Sequence, residues 1–108
     1  MDKNINKAVS QLKPHERKKF YDLIDYLNKN KIPYEIYVAY EVFTLFIDEK
    51  NRRRILVEYY TELEEAINVK EHIEKIYKGS VRIRHVIIVV YYIRNKRTHD
   101  VFPIKEIK

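Results

Sequence analysis

The residues from Arg52 to Val90 leave this chain few ways to fold, because they read as strand, helix, strand with almost nothing to spare. Ile55, Val57 and Tyr59 alternate with Leu56, Glu58 and Tyr60, the period of two that marks a strand. Thr61 with Glu64 three residues on has the spacing of a capping box. Leu63, Ala66, Ile67, Ile73, Ile76 and Tyr77 then recur at three- and four-residue steps, broken only by Lys70, and predict a helix with one apolar stripe. Gly79 is the only glycine in the chain. Placed just past that stripe, it is expected as the left-handed residue that ends the helix. Val86 to Val90 is a run of β-branched residues, expected as a strand buried on both faces. A strand, helix and strand of this length predict a right-handed parallel crossover.

The preceding half supplies a helix and a hairpin. Ile5, Val9 and Leu12 suit a short amphipathic turn. Pro14 fits the first position of a helix, where its missing N–H costs nothing, and Phe20, Leu23, Ile24 and Leu27 give that helix its inward stripe. From Ile32 to Asp48 the even positions Tyr34, Ile36, Val38, Tyr40, Val42 and Phe46 are apolar, which predicts an extended segment. It is long for one strand, so a bend near Ala39 to Glu41 is expected. Asp48 to Asn51 is a polar turn. If Asp48 and Arg53 flank it, Glu41 faces Tyr60 and Phe43 faces Glu58. That register puts Glu35, Glu41, Glu58 and Tyr60 on one sheet face and Val42, Ile55, Val57 and Tyr59 on the other. After Gly79, a strand from Val81 to Ile93, a basic turn at Arg94 to Arg97 and a short edge strand from Thr98 to Ile104 complete the chain. The expectation is one α/β domain, residues 1–108, with a mixed sheet, two main helices at 14–29 and 62–78, and the order α-β-β-α-β-β.

Composition removes several function classes. One glycine rules out a Gly-rich phosphate loop, and the absence of cysteine rules out disulfides and thiolate metal sites. His15, His72, His85 and His99 lack zinc-type spacing. No apolar run approaches the ~20 residues that span a bilayer, and the N-terminus lacks the apolar core of a signal peptide, so an intracellular, cytoplasmic protein with no membrane association is expected. Abundant Lys, Glu and Ile match the bias of small proteins from heat-loving archaea and their viruses, where the interior would be that of the host cell. An AT-rich genome gives the same bias. The net charge of +6 favours an anionic partner, nucleic acid before membrane. Between Val81 and Lys108, seven basic residues face two acids, which accounts for +5 of that charge.

Glu58 stands out because it interrupts an apolar strand, where a carboxylate must be solvated, paired or bound to a cation. With Glu41 beside it, two acids would repel unless a proton or a hard cation such as Mg²⁺ lay between them. Pairing of Glu58 with Arg54 satisfies the same demand without a metal.

The line Arg54-Ile-Leu-Val-Glu58-Tyr-Tyr60-Thr61, followed at once by a Glu-rich helix, resembles the PD-(D/E)xK nuclease superfamily. That superfamily has the restriction-endonuclease-like fold shared with archaeal Holliday-junction resolvases. The helix Glu16 to Leu27 ahead of Ile32 to Glu35 is similar to that family's first helix. The resemblance covers roughly residues 14–92 and implies a Mg²⁺ site of Glu58 with Glu41 or Asp48. Tyr60 stands where the family has its lysine, and Lys70 is the available substitute cation. In such enzymes two acids hold the metal and the lysine orients or deprotonates the attacking water. A tyrosine is a poor base at neutral pH but still hydrogen-bonds a phosphate. The implied candidates for catalysis are therefore Glu58, Tyr60 and Lys70, on a scaffold that has lost part of its machinery.

Basic clusters beside tyrosines suit phosphate contacts and base stacking. Arg52, Arg53, Arg54, Arg82, Arg84, Arg94, Lys96 and Arg97 are the candidate nucleic-acid contacts, although solvated turns in a Lys-rich chain look the same. The leading expectation is a DNA-binding protein on a nuclease-like, catalytically degenerate scaffold. The rivals are an active Mg²⁺-dependent endonuclease or junction resolvase, and a dimeric viral or plasmid protein that binds a host protein through a Tyr-rich sheet face.

Overall fold

The computed structural model describes residues 2–77 and 79–108. The elements are α1 (Lys3–Ser10), α2 (Pro14–Lys29), β1 (Tyr34–Ile47), β2 (Arg53–Tyr60), α3 (Leu63–Ile76), β3 (Gly79–Ile93) and β4 (Lys96–Ile107). The strands form one sheet in the order β2-β1-β3-β4. Among the described residues the class is α/β, with three helices and a four-stranded antiparallel sheet.

The expected turn at the N-terminus is a two-turn helix. Asp2 caps it by accepting the Asn4 N–H at 2.6 Å. Arg17 on α2 donates to the carbonyls of Ser10 at 3.0 Å and Leu12 at 2.9 Å, satisfying groups that the end of α1 leaves open. The second helix runs over 14–29 as its stripe and Pro14 imply. It ends in a Schellman motif with Lys31, rather than a glycine, at φ 54. The N–H of Ile32 reaches Leu27 O at 2.9 Å and that of Lys31 reaches Asn28 O at 3.2 Å.

The sheet departs from the expected mixed arrangement. β2 and β3 are not neighbours, because β1 lies between them. β1 runs antiparallel to β2. It also runs antiparallel to β3: Gly79 lies against Leu45 and Phe46, Arg84 against Glu41, and His85 against Tyr40. β2 and β3 therefore point the same way one strand apart, and α3 links them across β1. The Val86 to Val90 run is buried on both faces as expected. Ile87 and Val89 pack into the cluster of Val9, Leu12, Phe20 and Leu27, so this burial comes from what covers the sheet and needs no parallel pairing.

Two local signals also resolve differently. The Thr61–Glu64 capping box does not form; Glu62 is the N-cap of α3 and makes no side-chain cap bond. Residue 78, the last of the expected 62–78 helix, lies outside the described residues. Gly79 does not end α3 in a left-handed conformation; it opens β3, and no glycine has positive φ. The reason for glycine here is close approach: a Cβ would sit 2.1 Å from Leu45 O and 3.0 Å from Phe46 Cα.

Packing divides the chain into two units, residues 1–38 with 86–104 and residues 39–85 with 105–108. In the first, Val9, Leu12, Phe20, Leu27, Ile87 and Val89 form the core, with Phe102 edge-on to Phe20 at 5.5 Å. In the second, Val42, Ala66, Ile73 and Ile83 form a smaller core beneath α3, joined by Tyr40, Tyr60 and Val81.

Candidate nucleic-acid interface

The β1–β2 turn decides what the second unit can display. Asp48 N–H donates to Arg52 O at 2.9 Å and Asn51 sits at φ 60, so three residues connect the strands and Asn51 takes the left-handed position. Asp48 Oδ1 accepts the N–H of Lys50 at 3.0 Å and of Arg52 at 2.8 Å, and Oδ2 accepts Arg54 Nε at 2.9 Å. These bonds, led by the one from the Arg52 backbone, hold the Asp48 carboxyl below its ordinary pKa.

This turn shifts the ladder one residue from the expected register. Glu41 pairs with Tyr59, Val42 with Glu58 and Phe43 with Val57. A shift of one exchanges the faces. Glu41 and Glu58, expected side by side, lie on opposite faces of the sheet. Asp48 is held in the turn. Among the described residues no three His, Asp or Glu side chains converge to hold a metal ion. The donor set implied for Mg²⁺ does not fit, and with it goes the geometric basis of a two-acid nuclease site.

Each acid has another partner instead. Glu41 is 3% exposed. Its Oε1 accepts Arg84 Nε at 2.7 Å and its Oε2 faces the Tyr59 hydroxyl at 3.4 Å. The hydrogen bond that Arg84 donates to Glu41 raises the Arg84 pKa, and burial, then Glu41, raises that of Tyr59. Glu58 accepts the Tyr60 hydroxyl, not Arg54. That bond is the main reason the Tyr60 phenol is pushed up to about 12, so it stays protonated and is no base. Lys70 borders a separate hollow with Glu71, Glu74, Ile83 and Ile107, and no ion pair joins it to Glu58.

What the register does gather is a platform. β1 contributes Glu41, Phe43, Leu45 and Ile47 to the face away from α3, β2 contributes Arg53, Ile55, Val57 and Tyr59, and β3 contributes Ser80, Arg82 and Arg84. Leu45, Ile47, Ile55 and Val57 are 40%, 53%, 64% and 40% exposed. Isolated exposed aliphatics need no explanation, but a contiguous set marks an interaction surface. A groove of about 400 Å³ runs between Phe43, Leu45, Ser80, Arg82 and Arg84, with the paired Glu41 at one end. Arg82 reaches Glu106 only at 3.8 Å with both side chains well exposed, so it remains available. Arg53 is exposed, and among the described residues it makes no hydrogen bond or ion pair.

The other basic candidates fall elsewhere. Arg52 and Arg54 turn to Asp48. Arg94, Lys96 and Arg97 are exposed in the first unit at a two-residue turn, where Arg94 and Asn95 at φ 51 and 63 form a type I′ hairpin. The role of Arg84 as the partner of Glu41 was missed in the sequence. Alternation of Arg82 and Arg84 was visible, but it identifies no partner until β1 and β3 are known to be neighbours. His85, stacked on Tyr40 at 4.6 Å with ring planes 11° apart, has a lowered pKa from burial and from Lys105.

No family model, curated protein or solved structure matches this chain. Among the described residues no helix is long and apolar enough to cross a membrane.

Proposed function

We propose that the protein binds nucleic acid across the open sheet face of the 39–85 unit, and that the face serves binding rather than metal-assisted cleavage. The observation that carries this reading is the placement of Arg53 and Arg82, neither held in a close ion pair, on one sheet face with Phe43 and the exposed aliphatics. Guanidinium groups neutralise phosphates, and aromatic and apolar side chains take unstacked bases, which favours single strands over duplex. The reading does not need a nuclease scaffold. A second reading, docking of a host or other protein, is favoured by the exposure of Ile47 and Ile55.

Fluorescence anisotropy with labelled single-stranded and duplex oligonucleotides over a salt series separates the two. Binding should weaken as salt rises. Arg53→Ala with Arg82→Ala should flatten the log–log salt slope by about 1.4, since each phosphate contact on a single strand contributes roughly 0.7. Binding that is absent at low salt, or whose slope is unchanged in the double variant, removes nucleic acid from this face and leaves the protein reading.

A further inference from the structure

The two edges of the sheet are built differently. On the β4 edge, Pro103 cannot donate to a partner strand and Lys105 is exposed, two devices that keep an edge from pairing. On the β2 edge there is no proline, lysine or bulge. Arg53 to Tyr60 pairs without interruption to β1 along its inner side, and Arg53 to Val57 are all exposed. Because Asp48 N–H bonds to Arg52 O, the even residues of β2 turn their backbone groups toward β1. The odd residues Arg53, Ile55 and Val57 turn theirs outward. An unpaired, unprotected edge of this kind is a template for another strand.

The side chains on that edge are complementary to themselves. We propose that β2 pairs antiparallel with β2 of a second copy of this chain, with Leu56 against Leu56 at the two-fold axis and Arg54 against Glu58 on either side. A two-fold axis perpendicular to the sheet keeps each residue on its own face, so only registers that pair like-facing residues are allowed. In the proposed register Ile55 faces Val57 and carries the new ladder, while Arg53 meets the Tyr59 ring. A slip of two residues sets Leu56 against Glu58 in one direction and against Arg54 in the other. The first slip loses both ion pairs, and the second replaces them with Glu58 opposite Arg52, which lies outside β2 and is drawn to Asp48 in the turn.

The groups that must meet have capacity to do so. Arg54 is held by Asp48 through Nε, which leaves its terminal nitrogens for the second copy. Glu58 Oε2 takes the Tyr60 hydroxyl, which leaves Oε1. Both residues occupy non-hydrogen-bonded positions of the new ladder, where opposite side chains come closest. The inference does not rest on nucleic-acid binding. Edge pairing covers less than the ~1,600 Å² of a standard interface, so the dimer should dissociate on dilution.

Sedimentation velocity over a dilution series, with charge-reversal variants, tests this. The unmodified protein should dimerise. Arg54→Glu and Glu58→Arg each place two like-charge pairs across the axis and should weaken the dimer about tenfold or more. The double variant Arg54→Glu, Glu58→Arg restores the pairing and should recover most of that loss. Hydrogen exchange on the unmodified protein is independent of variant folding. The Ile55 and Val57 amides should be protected at high concentration and lose protection on dilution. A protein that stays monomeric, a dimer indifferent to the single reversals, or Ile55 and Val57 amides that exchange at the same rate at every concentration would overturn the proposal.

Discussion

Arg84 Nε lies 2.7 Å from Glu41 Oε1, joining β3 to β1 through an ion pair whose two members differ in burial: the glutamate side chain is 5% exposed and the arginine 40%. Removing one member of a buried pair leaves the other uncompensated, and the cost depends on whether the survivor can reach water. Arg84 can extend into solvent, and Glu41 cannot.

Arg84→Ala should therefore destabilise the protein more than Glu41→Gln. The expected losses are about 3 kcal/mol for the first, near the value for stranding a buried charge, and about 1 kcal/mol for the second, where an amide keeps part of the hydrogen bonding. Urea unfolding of both variants and of the double variant measures the coupling. Equal losses from the two single changes would mean that Arg84 is no freer than Glu41.

Gly79→Ala should be costly for a steric reason alone. The added Cβ would meet the Leu45 carbonyl oxygen at 2.1 Å, and that oxygen belongs to the backbone of β1, so β1 or β3 must shift. A loss of about 2–3 kcal/mol is expected, as for an overpacked core, although Gly79 is at the surface. An unchanged urea midpoint would show that the strands separate here at little cost.

Asp48 should govern acid sensitivity of the hairpin. Its folded pKa is lowered, so the stability it confers is fully present above the unfolded value of about 3.9 and is lost as pH falls through the lower folded value. Asp48→Asn keeps an oxygen for the Lys50 and Arg52 amides but has no charge for Arg54. The variant should melt below the unmodified protein at pH 6, and the gap should close as pH drops below about 3.9. Thermal melts at both pH values check this; a gap that is the same in acid would assign the effect to the turn geometry alone.

Tyr60→Lys should not produce metal-dependent cleavage of any DNA. A lysine there would lie on the face of Glu58, beneath α3, while Glu41 occupies the opposite face. Cleavage needs both acids around one metal ion. Incubation of the variant with Mg²⁺ or Mn²⁺ and single-stranded, duplex and four-way-junction DNA tests it. Cleavage abolished by Glu58→Ala would mean that the register seen here is not the one that acts.

Local physics set much of this protein from its sequence alone. Pro14 and the Phe20, Ile24 and Leu27 stripe determined α2, because both signals act within one helix. The β-branched run at Val86 to Val90 determined a strand buried on both faces, because only an inner strand hides such a run. Even the register was written locally, in Asn51: an asparagine tolerates the left-handed position that a three-residue turn requires, and placing it there moves Glu41 and Glu58 to opposite faces. The tertiary structure decided the rest. Strand order depends on which surfaces bury best together, not on any one segment, and it set β1 between β2 and β3. That adjacency gave Glu41 its arginine, required glycine at position 79 through contact with Leu45 far away in sequence, and left β2 as the open edge.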